Sequence, residues 1–265
     1  MGCRRGCPRF KTGVCFAIVS RITALRRWSW LVAFGLWGCR GTGGELTQNP
    51  VRSEVAIETD LVLAYDFESI HLVADGTSST VANAAPGGTP GNVHGATAAE
   101  GRSGMGIHFD GDDWIDTGLD QKIVHRAFAL WLRADAVPQK DVIPFGTMHD
   151  ESRLYFGFPP EDNTAGLGIG AVSYYGKGVP WVQDTLWHLV VLNRVDGEAR
   201  LFLDGKQAMS MPDGTVAAAG IYFIGAINKA HLGQALHHFR GTIDSVRIWN
   251  RSLSEREIAM LLNEN

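Results

Sequence analysis

The sequence predicts an all-β protein: an antiparallel β-sandwich or jelly roll with one short C-terminal helix. From Leu61 onward, apolar runs of strand length alternate with turn signals. Glycine is frequent, at 32 of 265 residues, and glycine-rich chains with many short apolar runs favour all-β architectures. Only the last segment combines a helix start signal with apolar residues at helical spacing.

The strand predictions follow in chain order. Single strands are expected in LVLAYDFES, GMGIHFDG, AFALWLRAD, GIYFIGAI and TIDSVRIWN. In the third, Phe128, Leu130 and Leu132 alternate with residues of the opposite face, the period of a strand. Between the third and fourth, HLVVLNRVDGEARLFLDGKQAM contains two hairpins, with turns at Asp196-Gly197 and Asp204-Gly205.

The predicted helix begins after Ser254. Ser254 and Glu257 have the spacing of a capping box, in which each residue satisfies a free backbone amide of the first turn. Ile258, Leu261 and Leu262 then recur at helical spacing and predict an apolar face directed at the sandwich.

The charge distribution excludes one class of partner. Seven of the 24 basic residues lie in the first 38 residues, which contain no acid. The rest of the chain has 17 basic against 28 acidic residues, a net charge of −11. An acidic body argues against nucleic acid as a partner, because nucleic-acid binding needs a cationic face. It is compatible with calcium, whose ligands are carboxylate and carbonyl oxygens.

The cysteines are confined to the first part of the chain. The last of the four is Cys39, so the body has no disulfide, no cysteine-based zinc site and no cysteine nucleophile. Residues 1–38 are interpreted as a signal region, in which Arg26 and Arg27 precede an apolar run from Trp28 to Gly38. The stretch before this region is longer than a usual charged segment, as in an over-extended gene start.

The end of the apolar run resembles a bacterial lipobox. Gly38 and Cys39 match the small residue and the lipidated cysteine, whereas Trp37 stands where a small residue is usual. The resemblance implies a lipoprotein anchored through Cys39 to the cell envelope, at the outer membrane or cell surface. The alternative is a cleaved signal and a secreted protein. Residues 39–60 are predicted to form a polar tether, and residues 61–265 to form the sandwich.

The body resembles the laminin G-like domain of the concanavalin A-like lectin/glucanase superfamily. The resemblance covers Leu61 to Leu262. Its most specific pieces are Trp187-His188, the Asp204-Gly205 hairpin and the closing strand and helix in GTIDSVRIWNRSLSEREIAMLL. It implies two antiparallel sheets packed face to face. The fold hosts lectins, adhesion modules, glycanases and lyases, so it leaves function open.

The resemblance also implies a structural calcium ion. In several branches of the superfamily the ion takes an acid from the first strand and one from the last, positions occupied here by Glu68 and Asp244. Asp244 shares a strand face with Val246 and Ile248, so a partner for its charge is needed. The alternative is that Asp244 accepts hydrogen bonds from backbone amides of a loop.

The predicted ligand-binding residues lie in glycine-containing stretches, expected as loops at the sandwich rim or on its concave face. SYYGKGVPW supplies Tyr174, Tyr175 and Trp181, and the preceding FGTMHDESR supplies His149 and Asp150. Aromatic rings bind the apolar faces of sugars, and glycine allows close approach of the backbone. The alternative for each ring is a place in the core or in a hairpin.

Catalytic motifs are missing from the sequence. The closest approaches to a glucanase-type triplet of alternating acids are Glu58-x-Asp60 and Asp66-x-Glu68, and the acids at 110, 112 and 113 have the pattern of a solvated turn. We therefore expect a non-enzymatic binding module on the cell envelope that recognises carbohydrate or another envelope or extracellular component. The alternatives are a carbohydrate-active enzyme of the same fold and a structural lipoprotein.

Overall fold

Nineteen β-strands and one α-helix form the described part of the chain in a computed structural model. The structure describes residues 57–72, 79–120, 125–137, 142–149, 152–158, 164–169, 172–180, 184–214 and 220–264. In chain order the elements are β1 (Leu61–Tyr65), β2 (Ile70–Leu72), β3 (Ser79–Val81), β4 (Gly91–His94), β5 (Thr97–Glu100), β6 (Met105–Asp110), β7 (Trp114–Asp120), β8 (Ala127–Ala134), β9 (Val142–His149), β10 (Ser152–Phe158), β11 (Thr164–Ile169), β12 (Val172–Pro180), β13 (His188–Val195), β14 (Glu198–Leu203), β15 (Lys206–Pro212), β16 (Ile221–Ile224), β17 (Ile227–Lys229), β18 (Gln234–Leu236), β19 (Arg240–Trp249) and α1 (Glu255–Asn263).

The strands form two sheets. The smaller sheet has the order β15-β14-β13-β8-β19-β6-β5, and β1 also pairs with β19. The larger sheet has the order β12-β11-β10-β9-β16-β7-β4-β3-β2, and the β17-β18 hairpin joins it at β9. Neighbouring strands are antiparallel except for β17 and β9. The predicted all-β sandwich with one C-terminal helix is therefore confirmed.

The core lies between the sheets and follows the alternation of each strand. Ile107 and Phe109 of β6, Leu132 of β8 and Ile243 of β19 have no exposed surface, and they meet Ile224 of the larger sheet. Because successive side chains of a strand point to opposite faces, the residues between them lie on the outer faces.

The outer face of the smaller sheet is partly covered by α1. Ile258 and Leu261 of the helix join Trp131, Trp249 and other apolar residues of that face in a second buried cluster. This confirms the predicted apolar face of the helix, and both tryptophans are buried here. Within the described ranges, no helix is long and apolar enough to cross a membrane.

The structure confirms the predicted helix cap at Ser254 and the two predicted Asp-Gly hairpin turns. Ser254 Oγ accepts the amide of Glu257, and the Glu257 carboxylate accepts the amide of Ser254 at 2.7 Å, as in a capping box. At the two hairpins, Asp196 and Asp204 have φ angles of 54° and 47°, each followed by a glycine with positive φ. These are the left-handed conformations that tight two-residue hairpins require.

Two boundaries differ from those expected. GIYFIGAI forms two strands, because the chain breaks at Gly225, where a Cβ atom would lie 2.3 Å from the ring of Phe109.

Residues 57–60, assigned above to the tether, lie against the sandwich. The carbonyl oxygen of Ile57 accepts a hydrogen bond from Trp249 Nε1 at 2.6 Å, and that of Thr59 accepts one from Arg251 Nε at 2.8 Å.

His188 is held between two carboxylates next to a predicted hairpin turn. Its Nδ1 lies 2.8 Å from Asp204 Oδ2 and its Nε2 lies 3.0 Å from Asp184 Oδ1. Asp204 also accepts the amide of Leu189 at 3.0 Å, so the turn and the strand are tied together. The hydrogen bond with Asp204, followed by that with Asp184, raises the pKa of His188 above its usual 6.5.

This arrangement predicts a pH-dependent stability. A group whose pKa is raised on folding stabilises the fold below its unfolded pKa, and that contribution is lost as the pH rises through the folded value. We expect His188→Gln to lower the free energy of unfolding in urea by up to about 1 kcal/mol more at pH 6 than at pH 8. In an Asp184→Asn background this difference should shrink. Equal destabilisation at the two pH values would contradict the assignment.

Candidate functional site

An aromatic row crosses three adjacent strands of the larger sheet. It consists of His94 on β4, Trp114 on β7 and Phe223 on β16. The His94 and Trp114 rings stack with centroids 4.5 Å apart and planes 13° apart. Phe223 follows on the other side of Trp114, at 6.2 Å and 23°. The three rings therefore stand nearly parallel.

The aromatic row lies on the outer face of the sheet. On β7, Ile115 and Thr117 are buried on the core side, which places Trp114 and Asp116 on the solvent side. His94 is exposed, and the other two rings are half-buried. Since neighbouring strands are about 4.8 Å apart, the row spans about 10 Å of accessible ring surface.

Polar side chains adjoin the row on the same face. Asn92 of β4 and Phe223 of β16 both pair in register with Asp116 of β7. Asn92 is exposed and Asp116 half-buried. Asp116 Oδ1 accepts the amide of Gly118 at 2.8 Å, which fixes the carboxylate. The face therefore offers an amide and a carboxylate, groups that exchange hydrogen bonds with hydroxyls, beside apolar rings.

The end of the β17-β18 hairpin forms one side of the row. His238 contacts Trp114 edge-on, with ring centroids 5.9 Å apart. Its Nδ1 donates to the carbonyl oxygen of Asp113 at 3.0 Å, which ties the hairpin to the start of β7. The aromatic row was not predicted from the sequence. The available signal was the alternation of Trp114 and Asp116 after the Asp110-Gly111 turn.

An acidic turn joins β6 to β7 next to Trp114. Asp110, Asp112 and Asp113 place one carboxylate oxygen each within 4.8 Å of one another, hard donors of the kind that a cation accepts. Asp110 and Asp112 are exposed, as expected of a solvated turn. Asp113 is only 7% exposed, and its Oδ2 accepts the amide of Asp110 at 2.8 Å. Its Oδ1 occupies the space beside Gly95.

The acids of this turn have different pKa values. A hydrogen bond with Asp110 raises the pKa of Asp112, and the same bond lowers the pKa of Asp110. Burial raises the pKa of Asp113. The carboxyl groups of Asp112 and Asp113 therefore hold a proton more tightly than that of Asp110.

The described backbone places two of the predicted ligand-binding residues away from the aromatic row. Tyr174 and Tyr175 lie in β12 rather than in a loop, opposite Leu167 and Gly166 of β11. Four strands separate β12 from β7 in the sheet order. His149 is the last residue of β9. Three predicted residues lie outside the described part of the chain: Asp150, Trp181 and the lipidation site Cys39.

Asp244 is a buried carboxylate, only 1% exposed, in the middle of β19. Its Oδ2 accepts the amide of Arg102 at 2.9 Å and that of Ser103 at 3.3 Å, and its Oδ1 accepts the hydroxyl of Ser245. Burial raises the pKa of Asp244, while these amides act in the opposite direction. This is the hydrogen-bonded alternative of the sequence analysis.

Glu68 holds the other end of the same turn. Its Oε1 accepts the amide of Met105 at 2.8 Å. A Cβ atom at Gly104 would lie 2.0 Å from this oxygen, and one at Gly101 would lie 2.7 Å from Asp244 Oδ2. The two acids predicted as a pair therefore contact one turn, residues 101–105, and both use carboxylate oxygens to accept its amides.

The comparisons with known proteins agree with this fold. A laminin G-type family model, described as the concanavalin A-like lectin/glucanases superfamily, matches residues 109–259. No curated protein sequence matches the chain.

Solved structures share the fold at low sequence identity. Domain 4 of AbnA, a GH43 extracellular arabinanase from Geobacillus stearothermophilus, in complex with arabinotriose, is 17% identical, with a TM-score of 0.58 over 77% of this chain and 98% of that chain. The binding domain of paraclostridial mosquitocidal protein 1 is 12% identical, with a TM-score of 0.57 over 78% of this chain and 52% of that chain. Trypanosoma rangeli sialidase is 17% identical, with a TM-score of 0.56 over 77% of this chain and 32% of that chain. This chain thus spans about half of the toxin chain and a third of the sialidase chain.

The hydrogen bonds of Asp244 predict how the protein responds to calcium. We expect Asp244→Ala to lower the free energy of unfolding by about 2 kcal/mol, because the amides of Arg102 and Ser103 both lose their acceptor. We expect the same melting temperature in calcium and in EGTA, since Asp244 Oδ2 and Glu68 Oε1 already accept amides of the turn. A melting temperature that falls in EGTA, with the difference lost in Asp244→Asn and in Glu68→Gln, would establish the calcium site instead.

Proposed function

This chain belongs to the concanavalin A-like lectin/glucanases superfamily, and we propose that it is a non-catalytic module that binds carbohydrate on the cell envelope. The observation that carries the proposal is the aromatic row of His94, Trp114 and Phe223 on an outer sheet face. A sugar presents apolar C–H faces and polar hydroxyls. The row supplies ring surface, and Asn92 and Asp116 supply the polar partners.

The row is built in advance of binding. Its rings lie on three hydrogen-bonded strands and stack on one another, and His238 fixes the edge of Trp114. Side chains that are already ordered lose little conformational entropy when a ligand binds. A row of about 10 Å suits a segment of about two sugar residues in an extended polysaccharide.

The solved structures support ligand binding in general. One of them is a complex with arabinotriose and another is the binding domain of a toxin. Their low identity leaves the ligand of this chain as a proposal. Carbohydrate is favoured over a protein ligand by the narrow row of rings flanked by single polar groups.

A carbohydrate-active enzyme is the alternative, and one observation favours it. Asp110 and Asp112 have pKa values shifted in opposite directions, and they lie in the turn that leads into Trp114. Split pKa values are what a general acid and its partner carboxylate need. Both side chains are exposed, however, whereas a catalytic acid whose pKa is raised is normally shielded from water.

We propose further that the module is held at the envelope by a lipid on Cys39, with the chain up to about residue 56 as its tether. The support is the apolar run that ends in Gly38-Cys39 and the polar, glycine-containing sequence that follows. A lipid chain gains about 0.8 kcal/mol for each methylene that enters the bilayer, and two or more chains make the anchor stable.

Lipidation predicts a change in location when the cysteine is removed. We expect Cys39→Ser to abolish incorporation of labelled palmitate and to move the protein from the membrane pellet to the soluble fraction. Equal labelling and unchanged fractionation of Cys39→Ser would contradict the anchor. A Cys15→Ser chain is the matched control and should behave like the original sequence.

The aromatic row predicts a loss of glycan binding on mutation. We expect Trp114→Ala to weaken binding to neutral glycans, found by array and measured by calorimetry, by about tenfold or more, because central aromatic residues dominate such contacts. Trp114→Phe should retain part of the affinity, and the melting temperature shows whether each variant folds.

Three outcomes would redirect this interpretation. Binding lost in Tyr175→Ala or Trp181→Ala but kept in Trp114→Ala would move the site to the stretch first predicted from sequence. Turnover of the bound polysaccharide that disappears in Asp112→Asn would make the protein an enzyme. No binding to any glycan on the array would remove the support for a carbohydrate ligand.

A further inference from the structure

The outer face of the smaller sheet carries two guanidinium–indole stacks that the proposed function does not use. The guanidinium carbon of Arg102 lies 4.0 Å from the ring centroid of Trp131, and that of Arg133 lies 4.9 Å from the ring centroid of Trp187. We name these four residues the arginine strip. We propose that the arginine strip binds the carboxylates of an acidic, uronate-type polysaccharide.

The two stacks are neighbours on one surface. Trp131 and Arg133 are two residues apart on β8, so they share a face and are about 7 Å apart along the strand. Trp187 immediately precedes β13, where Leu189 pairs with Trp131 and His188 pairs with Leu132. The pairing therefore continues toward Arg133, in agreement with the contact between Arg133 and Trp187.

Arg133 has no acidic partner within the described ranges of the chain. Among the residues that the structure describes, no acidic side chain pairs with Arg133, and its contact is the half-buried ring of Trp187. The guanidinium carbon lies over the ring, and among the described residues no acceptor bonds to the N–H groups at the guanidinium edge. That edge matches a carboxylate through two parallel hydrogen bonds.

Two hydrogen bonds hold Arg102 in place, one from its backbone amide and one from its guanidinium. Its amide donates to the buried carboxylate of Asp244, and its Nη1 donates to the carbonyl oxygen of Glu264 at 2.5 Å. The carboxylate of Glu264 pairs with Arg247 instead. Among the described residues no acidic side chain pairs with the Arg102 guanidinium, whose position these hydrogen bonds fix. Asp244 therefore acts as a positioning residue for this site.

The charge of the whole body selects the kind of anion. Beyond residue 38 the chain has a net charge of −11, which repels dense polyanions at long range. A polymer with one carboxylate on each sugar is repelled less strongly than a densely sulfated one. The two guanidinium groups offer such a polymer two carboxylate positions.

The test compares binding of polygalacturonate with that of a neutral polysaccharide by calorimetry. We expect Arg133→Gln to weaken polygalacturonate binding by about tenfold or more, since a charge-assisted bidentate contact is lost. Arg133→Lys should also bind more weakly, because lysine lacks the planar fork. The matched control is Arg240→Gln, on the same sheet, whose guanidinium is 69% exposed and pairs with Asp135. It should bind like the original protein.

The opposite results would overturn the proposal. These are full binding by Arg133→Gln with unchanged melting temperature, an equal loss in Arg240→Gln, or equally tight, Arg133-dependent binding of dextran sulfate. The inference is independent of the aromatic row, so Trp114→Ala should leave polygalacturonate binding unchanged. Loss of both neutral and acidic glycans in Trp114→Ala would mean one shared site and would reject the arginine strip.

Discussion

The arrangement of the smaller sheet depends on the buried carboxylate of Asp244, which lies where β19 changes one of its partner strands. Along one side of β19 the neighbour is β8, but along the other it changes from β6, which pairs up to Ile243, to β1, which pairs from Val246. At this junction the amides of Arg102 and Ser103 have no strand partner. A buried amide without an acceptor costs about 1–3 kcal/mol, and Asp244 accepts both. Ser245, with a φ of 50°, makes the local bend.

The same turn connects the junction to the protein surface. Asp244 holds its beginning and Glu68 holds its end, at the amide of Met105. Gly101 and Gly104 give these carboxylates room, since a Cβ atom at either position would overlap a carboxylate oxygen. A side effect of this fixed turn is that the guanidinium of Arg102 lies over Trp131. A buried structural acid therefore determines the placement of a half-buried cation.

The sequence predicted what is local and missed what depends on strand order. Period-two alternation, the Asp-Gly turns and the capping box are properties of a few adjacent residues, and each is confirmed. The aromatic row joins His94, Trp114 and Phe223 from strands whose adjacency is not written in any one segment. In SYYGKGVPW, glycine was interpreted as allowing close approach of a ligand, and most of this stretch forms β12. At Gly168 the glycine instead makes room for the ring of Tyr155, 2.2 Å from where a Cβ atom would lie.

The two outer faces of the sandwich differ in charge, and this difference argues for two kinds of ligand rather than one. The aromatic row lies beside Asp116 and the acidic turn, so an acidic polymer would be repelled there. The arginine strip lies on the other sheet, where a neutral polymer would leave two guanidinium groups without partners. A stretch of about two sugars cannot reach both outer faces, because the packed sheets alone are about 10 Å apart. Simultaneous binding would therefore link two different polysaccharide chains, with each contact raising the effective concentration of the other.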